Sequence, residues 1–227
     1  IHVTLSAEGL DVDLRPGRKR PAKPALTQKL IALAEMHDLA RLSIAGETVV
    51  MRRPPLQQMG PASVLPQSGA FLQASRAGED TLGALILEAL TQTKRKIKRT
   101  ADLFAGCGPF SLRVAQRHAV HAVEADEAAL AALDRAARET PGLKPVTSER
   151  RDLFRRPLLP TELARFDAVI LDPPRAGCEA QARQLASAKV PLVVYVSCDP
   201  QSLARDLAIL QAGGYRIERA TPVNPSR

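Results

Sequence analysis

The chain has 227 residues, 45% of them hydrophobic, which fits one large domain or a core with an appendage. A formal net charge of +8 suits a polyanionic partner without requiring one. Aromatics are 3% with no Trp, and the three cysteines are scattered. Base stacking is therefore a small part of any recognition, and neither a disulfide framework nor a zinc site is expected.

No apolar run is long enough to span a membrane, and no secretory signal opens the chain. The free cysteines fit a reducing, cytoplasmic compartment. Residues 1–14 alternate apolar and polar side chains around Glu8-Gly9, which predicts a β-hairpin. The basic, proline-rich loop Arg15-Pro-Gly-Arg-Lys-Arg-Pro-Ala-Lys-Pro24 follows, a solvated surface or a contact for RNA phosphates. A helix is predicted over 26–38, with Leu30, Ile31, Leu33 and Ala34 on one stripe, then a second hairpin over 42–51 turning at Ala45-Gly46. Residues 1–62 thus read as a small α+β unit. Its opening in mid-strand, and the close at Asn224-Pro-Ser-Arg227 just after another strand pattern, read as a fragment.

Residues 63–98 read as a bridge. Phe71-Leu-Gln-Ala-Ser75 leads into a helix over 79–91 with Leu82, Leu85, Ile86, Leu87 and Leu90 on its apolar face. The cations of Lys94-Arg-Lys-Ile-Lys-Arg99 come next, and Lys94, Arg95 and Lys96 are expected to touch RNA. From 99 to 227 strands and helices alternate. Strands are predicted at 100–104, 119–123, 145–147, 166–171, 191–196 and 215–220, and helices at 110–118, 127–139, 179–188 and 201–213. Repeated βα units predict an α/β fold: a Rossmann-like parallel sheet with right-handed crossovers and helices on both faces.

In such a sheet ligands bind at the carboxyl ends of the strands, and the unusual residues of this chain gather there. Gly106-Cys107-Gly108 allows a sharp turn and close backbone approach before a helix start that favours an anion. Ser111 breaks the full G-x-G-x-x-G pattern, which argues against a pyrophosphate-binding dehydrogenase. Glu124 closes the second strand, where a carboxylate accepts from ribose hydroxyls. Asp152 follows the third, placed for an adenine amino group or for its neighbouring arginines. In Asp172-Pro-Pro-Arg175 two prolines fix φ and remove two donors, aiming Asp172 into the crevice. Cys198, after the next strand, is either a small buried hydrophobe or a nucleophile. Its thiolate form would need a helix N-terminus or a cation, with Arg175 and Arg205 as candidates. Cys107 reads as a packed loop residue and Cys178 as a surface one. No His accompanies Cys198, which disfavours a cysteine hydrolase.

Asp102-Leu-Phe-Ala-Gly-Cys-Gly-Pro-Phe110, Glu124, Asp172-Pro-Pro-Arg175 and Val196-Ser-Cys-Asp-Pro-Gln-Ser-Leu-Ala-Arg-Asp206 together resemble the RNA uracil-C5 methyltransferases, over residues 63–223. The resemblance implies a class I methyltransferase sheet that holds S-adenosyl-L-methionine through Gln73, Phe104, Gly106, Gly108, Glu124, Asp152 and Asp172. It implies Cys198 as the nucleophile toward C6 of uracil, with Asp172 and Arg175 beside the base. The implied partner is structured RNA, ribosomal more than transfer RNA. The OB-fold and iron–sulfur cysteine cluster of some relatives are not visible in the sequence, so no metal is expected; a monomer is favoured. Departures are Ser75 and Pro109, where the family often carries Asn, and the general-base Glu, for which 207–227 offers only Glu218. Either the base lies outside this sequence or the chain cannot finish turnover. Two rivals remain: an amino-group methyltransferase built on Asp172-Pro-Pro, which needs no thiol, and a catalytically inactive RNA-binding module.

Overall fold

A computed structural model describes residues 1–16 and 24–224. Most of the basic loop, residues 17–23, lies outside the described residues. The chain divides into two units, Ile1–Gln58 with Ser63–Leu72, and Met59–Ala62 with Gln73–Arg227.

In the first unit β1 (His2–Ser6) and β2 (Gly9–Leu14) form the expected antiparallel hairpin. The helix α1 (Pro24–Met36) crosses to β3 (Arg41–Ile44), which lies parallel to β2. β4 (Glu47–Met51) returns antiparallel through Ala45 and Gly46, both at positive φ as a tight primed hairpin turn requires. Leu30 and Ala34 of α1 cover Leu42, Val12 and Val50 of the sheet. A buried bidentate pair joins β2 to β3: Arg41 Nε and Nη2 lie 2.8 and 2.6 Å from the Asp11 carboxylate, and Nη2 also donates to Pro66 O. The short hairpin β5 (Gln57–Met59) and β6 (Ala62–Val64) was not legible, because three-residue strands leave no period to read.

The second unit begins with α2 (Arg76–Gln92). It starts three residues earlier than the apolar pattern indicates, because Ser75 caps it by accepting from Gly78 N at 3.1 Å. Then follow β7 (Arg99–Leu103), α3 (Ser111–Val114), β8 (Ala119–Glu124), α4 (Glu127–Glu139), β9 (Val146–Arg150), α5 (Pro160–Leu163), β10 (Ala168–Leu171), α6 (Glu179–Ala188), β11 (Leu192–Tyr195) and α7 (Pro200–Ala212). All five strands are parallel, in the order β11-β10-β7-β8-β9. The chain enters at the central strand, runs out to β9, and crosses back to β10. Parallel strands buried on both faces read as unbroken apolar runs, as in Ala168-Val-Ile-Leu171. Their side chains still alternate: Val169 and Leu171 face Leu163, Leu185 and Leu210, whereas Ala168 and Ile170 face Ile86, Leu90, Phe110 and Val114. Helices α5, α6 and α7 therefore cover one face. α2, α3 and α4 cover the other, where Leu133 meets Ala105 and Ala122.

Two expectations are corrected. The helix over 110–118 is regular only for Ser111–Val114, because 115–118 turn to deliver Ala119 to β8, with Ala119 N donating to Lys98 O. The segment 215–220 forms no strand, since among the described residues no neighbour offers it a ladder; Arg219 instead pairs with Glu88 at 2.8 Å. Arg113 ties α2 to the glycine loop. Its Nη2 lies 2.8 Å from Glu79 and 2.7 Å from Asp80, its Nε donates to Pro109 O, and a Cβ on Gly83 would approach its Cδ to 2.5 Å. Removing one partner of a largely buried pair strands the other. Arg113→Ala is expected to cost about 3 kcal/mol in urea unfolding, and Arg113→Ala with Glu79→Gln less than the sum of the two singles.

Candidate active site

The strand ends are in step. Phe104 N donates to Val123 O at 2.9 Å, Asp172 N to Leu103 O at 3.3 Å, and Val196 N to Leu171 O at 2.7 Å. The loops after β7, β8, β10 and β11 therefore open on one edge. A crevice is expected between β7 and β10, where the winding direction reverses.

The loop after β7 is held in an uncommon backbone shape. Phe104, not a glycine, has φ +65°, and Gly106 has φ +53°. A left-handed non-glycine residue is held against its preference by the surrounding structure, and such residues cluster at ligand sites. Gly106 N donates to Glu124 Oε2 at 3.0 Å, while Ala125 N and Asp126 N donate to Oε1 at 2.7 and 3.0 Å. Three backbone donors thus fix the Glu124 carboxylate as an acceptor with spare lone pairs. A Cβ on Gly106 would meet nothing, so that glycine serves the backbone conformation and approach. A Cβ on Gly108 would lie 2.8 Å from Leu133, so Gly108 serves the packing of α4.

Two acids meet where β7 and β10 adjoin. Asp102 is fully buried, accepts from Ser111 Oγ at 2.6 Å through Oδ2, and has no partner for Oδ1 among the described residues. Burial pushes its carboxyl up to about 7, against the Ser111 hydrogen bond. Asp172 is likewise pushed up to about 7, first by burial and then by the charge of Asp102. Gln73 Nε2 donates to Asp172 Oδ2 at 3.2 Å. A low-dielectric site with two such carboxyls favours a cation beside it. Toward β9, an open cavity of about 470 Å³ is lined by Ala125, Arg150, Arg151, Asp152, Arg155 and Arg156. Asp152 accepts from Phe154 N and pairs with Arg155 at 3.5 Å. The Phe154 ring is half-exposed and stands 5.4 Å from the Phe104 ring, an apolar surface that composition did not reveal.

Cys198 is the exposed thiol of the three, in the loop between β11 and α7. Asp199 caps α7 by accepting from Ser202 N at 2.8 Å, so Cys198 stands just before a helix N-terminus. Arg175 is exposed in the loop after β10, and its charge holds the Asp199 carboxyl down, after that carboxyl's hydrogen bonds with Ser202. Arg205 is not a partner for the thiol, because it is spent on Asp206 at 2.8 Å, Glu179 at 3.6 Å and Ala176 O. Cys178 is not a surface residue: it is 2% exposed, and burial pushes its thiol up to about 12. Cys107, also buried, has Sγ 4.0 Å from Met59 Sδ. Lys94, Arg95 and Lys96 precede β7 and so stand at the opposite edge of the sheet from Cys198.

One cluster was missed from sequence. Buried Asp206 accepts through Oδ2 from Cys178 N at 2.6 Å and Tyr195 Oη at 2.7 Å, and through Oδ1 from Arg205. A Cβ on Gly177, at φ +72°, would lie 2.6 Å from both Asp206 and Arg205. Asp206 thus fastens the loop after Asp172 to the helix after Cys198. Its signal was an acid four residues before Leu210 on the buried face of α7.

The parallel sheet, the glycine loop and the closing carboxylate of β8 define a class I methyltransferase fold. Residues 139–223 match the family model described as tRNA (uracil-5-)-methyltransferase, which bears out the resemblance carried by the motifs. The chain is 52% identical over 221 residues to an uncharacterised RNA methyltransferase of Brucella suis, covering 97% of this chain and 52% of that protein. A 23S rRNA (uracil(1939)-C(5))-methyltransferase of Chromohalobacter salexigens is 44% identical over 154 residues, 67% of this chain and 31% of its own length. The crystal structure of Pyrococcus abyssi tRNA (uracil-54, C5)-methyltransferase with S-adenosyl-L-homocysteine superposes with a TM-score of 0.70 at 21% identity, over 93% of this chain and 52% of that one. The chain spans about half the length of the curated relatives it matches.

A carboxyl raised by folding stabilises at low pH and loses that contribution as pH rises through the raised value. The ligand-free protein is therefore expected to lose several degrees of Tm as pH rises from about 4 to about 7, and to level off above that. Asp102→Asn should flatten the profile in that window, and thermal melts across pH check it.

Proposed function

We propose that this chain carries the catalytic domain of an enzyme that methylates C5 of uridine in structured RNA, using S-adenosyl-L-methionine and Cys198 as nucleophile. One observation supports it above the others: the exposed cysteine stands at the same sheet edge as the paired acids Asp102 and Asp172 and the Glu124 carboxylate. The donor set suits the cofactor. Glu124 would take the ribose hydroxyls, and Asp152 with Phe104 and Phe154 the adenine. Asp172 and Gln73 would take the amino-acid end, with the acidic pair favouring the cofactor's cationic charge. When bound, the cofactor supplies an electrophilic methyl group.

The protein's residues must do the rest. C5 of uracil is a weak nucleophile. Attack of the Cys198 thiolate forms an S–C6 bond and moves the C5=C6 electrons into an enolate, whose C5 takes the methyl group. Loss of the C5 proton to a base then expels the thiolate and restores the double bond. That base is not assigned to a described residue. The target uridine must leave its stack to reach the crevice. Ribosomal RNA is the favoured substrate on the likeness to the Chromohalobacter salexigens enzyme, and the site of action is cytoplasmic.

Fluorine at C5 blocks the proton loss, so 5-fluorouridine-substituted ribosomal RNA with cofactor should trap a methylated covalent complex, mapped to Cys198 by mass spectrometry. Cys198→Ala should give none. Methyl transfer that survives Cys198→Ala would point to the amino-group reading, and RNA binding without any transfer by the full-length chain to the inactive module. A stronger adduct with transfer RNA would reverse the substrate assignment. Tyr195→Phe removes one donor to Asp206 and loosens the seat of the Cys198 loop. It is expected to lower kcat about tenfold, in the range of misplaced catalytic groups, while cofactor Kd stays within twofold; equal loss of both would assign Tyr195 to general stability.

A further inference from the structure

Every strand of the parallel sheet has its foot on the edge opposite Cys198, and that edge is cationic throughout. Lys94, Arg95, Lys96, Lys98 and Arg99 lead into β7, Arg117 into β8, Lys144 into β9, Arg165 into β10 and Lys189 into β11. Backbone hydrogen bonds hold these approaches together: Ala119 N donates to Lys98 O, Lys144 N to Ala115 O, Val120 N to Pro145 O and Asp167 N to Arg99 O. All nine side chains belong to exposed residues, and among the described residues none of them forms an ion pair. All five lysines of this unit lie here. Elsewhere in the unit, Arg76, Arg113, Arg150, Arg151, Arg155, Arg183, Arg205 and Arg219 are bound to carboxylates, while Arg135, Arg138, Arg156, Arg175 and Arg216 are not and are scattered over α4 and the loops rather than gathered at one edge's strand approaches. Two acids share the edge. Asp167 accepts the backbone N–H groups of Lys98 and Arg99 at 2.8 and 2.9 Å, and Glu139 ends α4.

Cations are also favoured near helix C-termini. That accounts for Lys189, the C-cap of α6. It does not account for Lys96, Lys98, Arg99 or Lys144, which sit on strand approaches. Unpaired lysines on flexible stems suit phosphates as point charges, without base selectivity.

We propose that this amino-terminal edge is a second RNA-binding surface, gripping the phosphate backbone of the same structured RNA whose uridine enters the crevice. It rests on the uracil-C5 reading for the identity of the RNA. A five-residue strand is about 17 Å long at roughly 3.3 Å per residue, so a folded RNA can engage both edges while a short stem-loop at the crevice cannot. The surface would supply affinity and orientation, and sequence choice would remain with the crevice.

The test is Lys96→Glu/Lys98→Glu/Lys144→Glu in the full-length protein, first shown to melt like the parent. Filter binding to long ribosomal RNA without cofactor, over 50–200 mM KCl, is expected to show at least tenfold weaker Kd at 100 mM. The slope of log K against log salt should fall by about 2, near 0.7–0.9 per lost phosphate contact. Methylation of a short stem-loop should keep kcat and KM within twofold. Unchanged affinity and slope for long RNA would overturn the proposal. So would equal weakening on both RNAs, or capture by anionic phosphatidylserine vesicles with RNA binding intact. Because binding is read without turnover, a changed slope with no methylation of either RNA would uphold this surface and remove the uracil-C5 reading instead.

Discussion

The constraint on which the second unit depends is that all five strands run the same way. Parallel strands cannot close through tight turns, so every connection must cross a face, and every strand offers its carboxyl end to one edge and its foot to the other. Uncommon residues follow that division. Glu124, Asp172 and Cys198 stand at or beyond carboxyl ends, with Phe104 and Gly106 in the loop between, while the lysines stand at the feet. The first group is scattered in sequence, and the lysines come from three separate stretches, 94–98, 144 and 189. The sheet order, with β10 laid beside β7, brings residues 102 and 172 together across a separation of 70 positions.

Electrostatics sharpens the same edge. In water two neighbouring carboxyls would both ionise and repel weakly. Here burial raises Asp102 and Asp172 to about 7, and the charge of Asp102 adds to the rise at Asp172. The pair is therefore poised: neutral carboxyls are tolerated in the ligand-free core, and a cation in the crevice would draw out their charge. Arg113 and Ser111 support this arrangement from the far side of the glycine loop, Ser111 by donating to Asp102 and Arg113 by fixing Pro109 and α2. Gln73 stands just before α2.

What the sequence made legible was set by range. Helices α4 and α6 were read to the residue, since Asp126 caps the first and the left-handed Lys189 closes the second. The buried runs of β7, β8 and β10 carried their own signal. Residues 215–220 alternate like a strand, yet a strand exists only with a partner, and alternation cannot report one. Short elements such as β5, β6 and α5 hold too few residues for a period. Site residues at strand ends were visible as breaks in apolar runs. The placement of Lys94, Arg95 and Lys96 was not, because a charge run looks the same at either edge of a sheet until the strand direction is known.

The cysteines show how the fold sorts one side chain into different chemistries. Cys107 and Cys178 are buried and pushed up to about 12, which makes them packing groups. Cys198 escapes burial because the chain must leave β11 and enter α7 within the few residues 196–199, with Asp199 committed to capping the helix. Such a loop would wander if its two flanks were free. They are not: Tyr195 just before it and Asp206 on α7 are joined at 2.7 Å, and the same Asp206 oxygen holds Cys178 N at the end of the loop that begins with Asp172. The exposed thiol and the loop that begins with Asp172 are thereby tied to one buried carboxylate. The proposed reaction, which needs a nucleophile, a base ring and a methyl donor in line, would require that kind of shared anchor more than any single contact.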